Sequence, residues 1–238
     1  MEHSLLRPDI LQKRERIFFL AIAVAIVVAV VSGFGLFFLA GFSSFDAPLS
    51  VHIHAVTFMI WVFFYLAQNA LVFRNNLVLH RKFGWFGTGL VAWVVLVGLV
   101  TTYLSATSGH TPPIFTPASL FALNLMMILT FAVLASAAIW ARKQTDWHRR
   151  LMLCATICVI APAFGRLLIL LGVRTHLNFM LVILSWIAVA AAFDLVAYRK
   201  VHAAYAWGFG AIIVMGLAIQ FLPVFPPFVS LADGLAGK

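Results

Sequence analysis

The residues of this sequence best suited to chemistry are its histidines, of which there are eight. A neutral imidazole can ligate a metal or a haem iron, and histidine also exchanges protons near neutral pH. Most of these histidines lie near the ends of long apolar runs. They form two groups at alternate ends of those runs: His52, His54, His110 and His176 in the first, and His80, His148 and His202 in the second.

Polar side chains recur at helical spacing in the second apolar run. At about 100° per residue, His54, Trp61, Tyr65 and Gln68 fall within roughly 60° of one another. A face that meets lipid would be apolar, so this polar and aromatic stripe is expected to point into a helix bundle. Asn124 on the fourth run is a further candidate for contact with a ligand.

Arg166 is the most informative single residue, because it lies several residues inside an apolar run, too deep for its charge to reach water easily along the side chain. The only carboxylate expected at the same end of the runs is Asp46, which falls in a loop. One interpretation is an anionic ligand, such as a haem propionate or a quinone oxygen. The other is a backbone carbonyl near Pro162, since proline breaks the helical hydrogen-bond ladder. Both interpretations stay open on the sequence alone.

Haem is the leading chemistry for two groups of histidines in a helical protein. Bis-histidine ligation needs two neutral imidazoles on facing helices at one depth, with cations near the propionates. The candidate ligands are His54 with His176 at one end and His80 with His148 at the other, and the candidate cations are Arg166 and Arg81. The alternative for the second group is a rim of salt bridges facing anionic lipid, in which His148 pairs with Asp146 or Asp194.

Other metal chemistries fit less well. A di-iron site needs several carboxylates in the bundle, but Glu2 and Glu15 are both N-terminal and are expected to lie outside it. A zinc-protease motif is absent, and Cys154 and Cys158 are expected to be small core residues with no other sulfur nearby. A zinc or copper site built on His52 and His54 remains a minor alternative.

The composition identifies the environment as a lipid bilayer. Apolar residues make up 64% of the 238 residues, and charged residues make up 10%, against about 25% charged in soluble domains. Seven runs are long enough to span a hydrocarbon core. They are 17–42, 51–73, 86–107, 118–141, 151–173, 177–198 and 205–225. We therefore predict an all-α polytopic membrane protein, a bundle of seven transmembrane helices. Residues 1–16 would form a cytoplasmic basic lead, 17–228 a single transmembrane domain, and 229–238 a short external tail.

The basic residues predict the orientation and explain the net charge of +9. Thirteen of the sixteen Lys and Arg residues fall in the N-terminal segment and in the second, fourth and sixth connections, all at one face. Basic connections stay in the cytoplasm, so the N-terminus should be cytoplasmic and the C-terminus outside, in a bacterial plasma (inner) membrane. The charge reflects this asymmetry and attraction to anionic lipid, and nucleic acid is not an expected partner.

Two segments resemble a family of small bacterial multi-pass membrane proteins of unknown function. The first runs from His52-x-His54 through Gln68 to His80-Arg81-Lys82-x-Gly84, and the second from Asp146-Trp147-His148-Arg149-Arg150-Leu151-Met152 to Gly165-Arg166. The resemblance covers spans two to five, and His52 beside His54 departs from the family pattern. That family looks distantly related to transmembrane b-type cytochromes and to oxidase-assembly proteins, which implies a role with haem or quinone.

Three functions follow from these residues. The first is a b-type haem protein for transmembrane or quinone-linked electron transfer, with a quinone or a redox protein as partner. The second is a non-enzymatic membrane module, such as an assembly factor, a sensor or a subunit of a larger complex, that binds a lipid, quinone or pigment. The third, less favoured, is a transporter or proton relay using His54, Arg166, Asp194 and His176. The residues leave open whether the chain is an enzyme.

Overall fold

The structure, a computed structural model, describes residues 8–108, 111–112, 114–173 and 175–237. His110, Arg174 and the side chain of His176 lie outside these described residues. Within the described ranges the chain forms helices and no strands. They are α1 (Pro8–Leu39), α2 (Leu49–Phe73), α3 (Leu77–Thr107), α4 (Pro117–Trp140), α5 (Thr145–Val159), α6 (Ala161–Leu170), α7 (His176–Tyr198), α8 (Ala203–Phe221) and α9 (Pro226–Leu235).

The predicted all-α polytopic bundle is confirmed. Six helices in the described part of the chain, α1 to α4 together with α7 and α8, are each long and apolar enough to cross a bilayer. The consecutive helices α5 and α6 pass the same test only together, so the described part of the chain has six spans, or seven if this bent pair crosses as one. Helices are expected in this solvent because lipid offers no partner to the backbone, so each segment must satisfy its own N–H and C=O groups.

Local capping sets where the helices begin, and several begin before their apolar run. Helix α3 starts at Leu77, where the Asn76 side chain accepts a hydrogen bond from the Leu79 backbone N–H (3.1 Å). Helix α4 starts with a capping box between Thr116 and Ser119. A helix can continue through polar residues once it leaves the hydrocarbon core. The ends of a helix and the ends of its apolar run therefore need not coincide.

A bend interrupts the fifth span, which the hydropathy pattern predicts as one continuous run. Helix α5 ends at Val159, α6 begins at Ala161, and their axes differ by 44°. Pro162 stands in the first turn of α6 and has no N–H to continue the α5 ladder. His148 and Arg166 therefore lie on separate helices, on either side of this bend.

The bent pair α5–α6 lies at the centre of the bundle. Helix α5 packs against α4, α7 and α8, while α6 packs against α1 and α7. Helices α2 and α3 bridge between α1 and α4, and stacked rings of Phe18 and Phe193 join α1 to α7 (4.1 Å between centroids). Gly33 lets α1 approach α6 closely, because a Cβ there would lie 2.5 Å from the Ala163 carbonyl oxygen.

The C-terminal segment is structured rather than a simple tail. Helix α9 packs against α4 and α3, and the rings of Phe121 and Phe228 stack at 5.4 Å. Ala232 is buried in this contact region. We use the term basic end for the end of the bundle that carries the start of α1 and the α2–α3, α4–α5 and α7–α8 connections, and opposite end for the other.

Candidate functional site

Helix α2 carries a strip of interior polar groups that runs from the opposite end to the basic end. Its members are His54, Trp61, Tyr65 and Gln68, the four residues that the helical phase places together. Trp61 and Tyr65 are 2% and 5% exposed. Five polar atoms of this strip are buried and have no hydrogen-bond partner by distance and angle among the described residues: His54 Nδ1, Trp61 Nε1, Tyr65 Oη and both amide atoms of Gln68. Asn69 is the polar side chain next to the Tyr65 hydroxyl.

Unpaired buried polar atoms are uncommon in folded proteins, where water, an ion or a ligand normally satisfies them. Apolar rings surround the strip, since Trp61 meets Phe131 edge to face at 5.1 Å. From His54 to Gln68 the strip extends over 14 residues, or about 21 Å of helix. The strip is therefore the part of the interior best equipped to receive a polar molecule.

At the basic end, His80 of α3 and His148 of α5 face each other. Their ring centroids are 6.4 Å apart, and the ring planes are inclined by 73°. His148 Nδ1 lies 2.8 Å from the Ala138 carbonyl oxygen. Because a carbonyl can only accept, Nδ1 carries the proton and Nε2 keeps its lone pair. The His148 ring is therefore held in the tautomer and orientation that a metal ligand needs.

His80 connects this pair of histidines to the α2 strip. Its ring lies beside the backbone carbonyl of Gln68, and its Nδ1 is buried without a hydrogen-bond partner among the described residues. The pair and the strip thus form one continuous polar region between α2, α3 and α5. Arg81, the next residue, is exposed, and its charge acts on His80.

A second polar cluster at the basic end consists of ion pairs that join three helices. Arg150 donates from Nε and Nη2 to the two Asp194 carboxylate oxygens (2.9 and 2.6 Å) and from Nη2 to Glu15 (3.2 Å). Arg149 pairs with the same Glu15 oxygen at 2.6 Å and with Asp146. Asp194 also accepts the His202 backbone N–H at 3.1 Å. These contacts give both arginines carboxylate partners and lock α1, α5 and α7 together.

Two expectations about this end are wrong. Glu15 was expected outside the bundle, but it is 3% exposed and sits between two arginines. The salt-bridge alternative predicted that His148 pairs with Asp146 or Asp194, but its hydrogen-bond partner is the Ala138 carbonyl oxygen. A single acidic residue among Lys13, Arg14 and Arg16, just before an apolar run, is the sequence signal that could have identified Glu15 as a buried counter-ion.

At the opposite end the structure separates the two neighbouring histidines of α2. His52 Nε2 lies 3.1 Å from the Phe45 carbonyl oxygen and faces the loop. His54 turns into the bundle, stacks on Phe58 at 4.2 Å and lies within electrostatic reach of Arg166. Residues two apart on a helix point in very different directions, so a shared zinc or copper site on His52 and His54 is disfavoured.

Arg166 contacts a backbone carbonyl and two aromatic rings. Its Nη1 donates to the Pro162 carbonyl oxygen at 3.0 Å, as one interpretation of the sequence predicted. Its guanidinium also lies over the rings of Phe34 and Phe37, at 4.3 and 5.4 Å. Asn124 is half-buried on α4 and has no hydrogen bond within the described part of the chain.

The two cysteines are core residues, as predicted, but one has a sulfur neighbour that was not expected. Cys154 and Cys158 are both fully buried, and Cys158 Sγ lies 3.4 Å from Met215 Sδ. The residues that the structure describes contain no group of three or more His, Cys, Asp or Glu able to hold a metal ion. A bis-histidine haem needs only two protein ligands, so a pair such as His80 and His148 would not appear among groups of three.

Comparisons with known protein families, curated proteins and solved structures found no match to this chain.

Proposed function

We propose that this chain is a membrane-embedded b-type haem protein that transfers electrons, in which His80 and His148 would hold the haem iron at the basic end. The observation that carries the proposal is the separation of 6.4 Å between these two rings, which belong to different helices. A metal-bound imidazole nitrogen lies about 2 Å from the metal, so two imidazoles that would hold one iron must approach each other closely, as these two do. A haem with two protein ligands takes up and releases single electrons.

The surroundings of the pair support this assignment. The Ala138 carbonyl fixes the His148 ring, a support typical of metal-ligating histidines. The exposed Arg81 guanidinium stands one residue from His80 and could neutralise a propionate. Arg149 and Arg150 are already paired with carboxylates, so they keep their structural role. Under this proposal the basic end faces the cytoplasm of a bacterium, and the redox partner is a protein or a quinone.

The proposal rests on one pair of histidines. The second predicted pair, His54 with His176, stays a prediction, because the His176 side chain lies outside the described residues. A non-enzymatic module is the second candidate, and the unpaired atoms of the α2 strip favour it. In that case the strip would bind a lipid-soluble molecule with oxygen acceptors, such as a quinone, without haem.

The test is the absorption spectrum of the purified full-length protein from haem-supplemented cells, first oxidised and then reduced with dithionite. We expect the sharp bands of six-coordinate low-spin haem. His80→Ala and His148→Ala should each abolish that signature. His52→Ala is the matched control, because His52 bonds the Phe45 carbonyl in a loop. A folded, haem-supplemented protein without low-spin bands would refute the proposal and leave the ligand-binding module.

A replacement at the same position gives a second readout. His148→Met should retain a six-coordinate haem and raise its midpoint potential, because a thioether ligand favours reduced iron. A potential equal to that of the unmodified protein would show that His148 is not a ligand, even if the variant binds haem.

A further inference from the structure

Arg166 is a cation without a carboxylate partner in the described part of the chain. The chain has seven acidic residues. Glu15, Asp146 and Asp194 belong to the ion pairs at the basic end. Of the remaining four, Glu2 and Asp9 come before the first apolar run, and Asp46 and Asp233 lie outside the seven spans. Among the residues that the structure describes, no carboxylate therefore serves as a buried counter-ion at the opposite end.

The groups that contact Arg166 hold its guanidinium but do not neutralise it. A guanidinium has five N–H donors in a planar fork, and one of them reaches the Pro162 carbonyl. The Phe34 and Phe37 rings attract the positive charge but accept no conventional hydrogen bond. A charge inside a membrane span normally has a partner or faces a polar cavity, so an anion would complete this set of contacts.

His54 offers a second hydrogen-bonding group within electrostatic reach of Arg166. Its Nδ1 is buried and unpaired among the described residues, its ring is fixed by stacking on Phe58, and the charge of Arg166 acts on it. Three helices thus converge: α1 supplies the aromatic rings, α2 the imidazole and α6 the guanidinium. An oxygen ligand could bind both donors, provided that the Nδ1 tautomer carries the proton.

The position of Arg166 along α6 suits the headgroup of a membrane amphiphile better than a soluble anion. Arg166 lies four residues before the end of α6, or about 6 Å along the helix axis. That depth is comparable to the boundary between headgroups and acyl chains, about 5–10 Å into the interface. We propose that Arg166 and His54 bind the anionic headgroup of a membrane amphiphile, a carboxylate or a phosphate, whose chain extends along the apolar surface of the bundle.

The experiment measures thermal stability and binding for the purified full-length protein in a neutral detergent. The probes are oleate for the carboxylate, phosphatidylglycerol for the phosphate and phosphatidylcholine as the lipid without net charge. Either anionic probe should raise the melting temperature of the unmodified protein, and phosphatidylcholine should not. A response to oleate alone identifies a carboxylate ligand, a response to phosphatidylglycerol alone identifies a lipid phosphate, and responses to both identify a general anionic headgroup site.

Arg166→Gln should weaken binding of the active probe by about tenfold or more, the expected result of losing a charge-assisted hydrogen bond. Arg74→Gln is the matched control, since it removes the same charge from an exposed position at the other end and should bind normally. If Arg166→Gln fails to fold, Arg166→Lys keeps the charge, loses the planar fork and should bind with intermediate affinity.

Two results would overturn this inference. One is equal stabilisation of the unmodified protein by anionic probes and by phosphatidylcholine. The other is unchanged affinity in Arg166→Gln, or in Arg166→Lys where that variant is the one that folds. Both are independent of the proposed haem at the basic end, because neither experiment depends on the His80–His148 pair.

Discussion

The ion pairs between Arg150, Asp194 and Glu15 allow a quantitative prediction for the substitution Asp194→Asn. Arg150 is 2% exposed and Asp194 is fully buried, so water cannot replace a lost partner. Both carboxylate oxygens accept from Arg150. An asparagine side chain would keep one of these hydrogen bonds and would lose the negative charge. Glu15 cannot compensate fully, since it also pairs with Arg149.

Breaking a buried ion pair by removing one partner costs about 3–5 kcal/mol in free energy of unfolding. Asparagine keeps one acceptor, so Asp194→Asn should lie near the lower limit, at about 3 kcal/mol. Asp194→Ala should approach the upper limit, because it also removes the acceptor of the His202 backbone N–H. The control Asp233→Asn, in the peripheral helix α9, should change stability by less than about 0.5 kcal/mol.

The assay is unfolding in mixed micelles with increasing denaturing detergent, followed by circular dichroism. The double variant Arg150→Met, Asp194→Leu removes both charges and leaves Glu15 paired with Arg149. It should be more stable than Asp194→Ala, because no unpaired buried charge remains. The reasoning fails if Asp194→Asn costs less than about 1 kcal/mol, or if the double variant is no more stable than Asp194→Ala.

Two further predictions concern helix packing and pH. Gly33→Ala should destabilise the protein by about 1–3 kcal/mol, because its Cβ would lie 2.5 Å from the backbone oxygen of Ala163. The control Gly35→Ala, with nothing within 4 Å, should be neutral or slightly stabilising. Equal effects of the two variants on stability would contradict the close approach of α1 and α6. Burial lowers the pKa of His202, with a contribution from a nearby arginine, so the unfolded chain binds more protons and stability should fall as the pH drops below about 6.5. His202→Ser keeps a capping oxygen and should reduce the loss of stability between pH 7 and pH 5, whereas an unchanged loss would show that His202 does not contribute.

The sequence by itself determined the fold class and the orientation of one important helix face. Seven apolar runs predict spanning helices, because a backbone in lipid must satisfy its own polar groups. Helical phase placed His54, Trp61, Tyr65 and Gln68 on one face, and the structure buries the polar atoms of all four. Both inferences depend only on local spacing, which hydropathy and helix geometry translate directly into structure.

Only the tertiary structure decided which of these faces meet. The pairing of His80 with His148 and the burial of Glu15 between Arg149 and Arg150 join residues far apart in sequence. Such pairs depend on which helices become neighbours, and that choice is made by close packing across the whole bundle. Side-chain packing depends on how the surfaces of two helices fit each other. The periodicity of a single helix therefore cannot predict which helices pair.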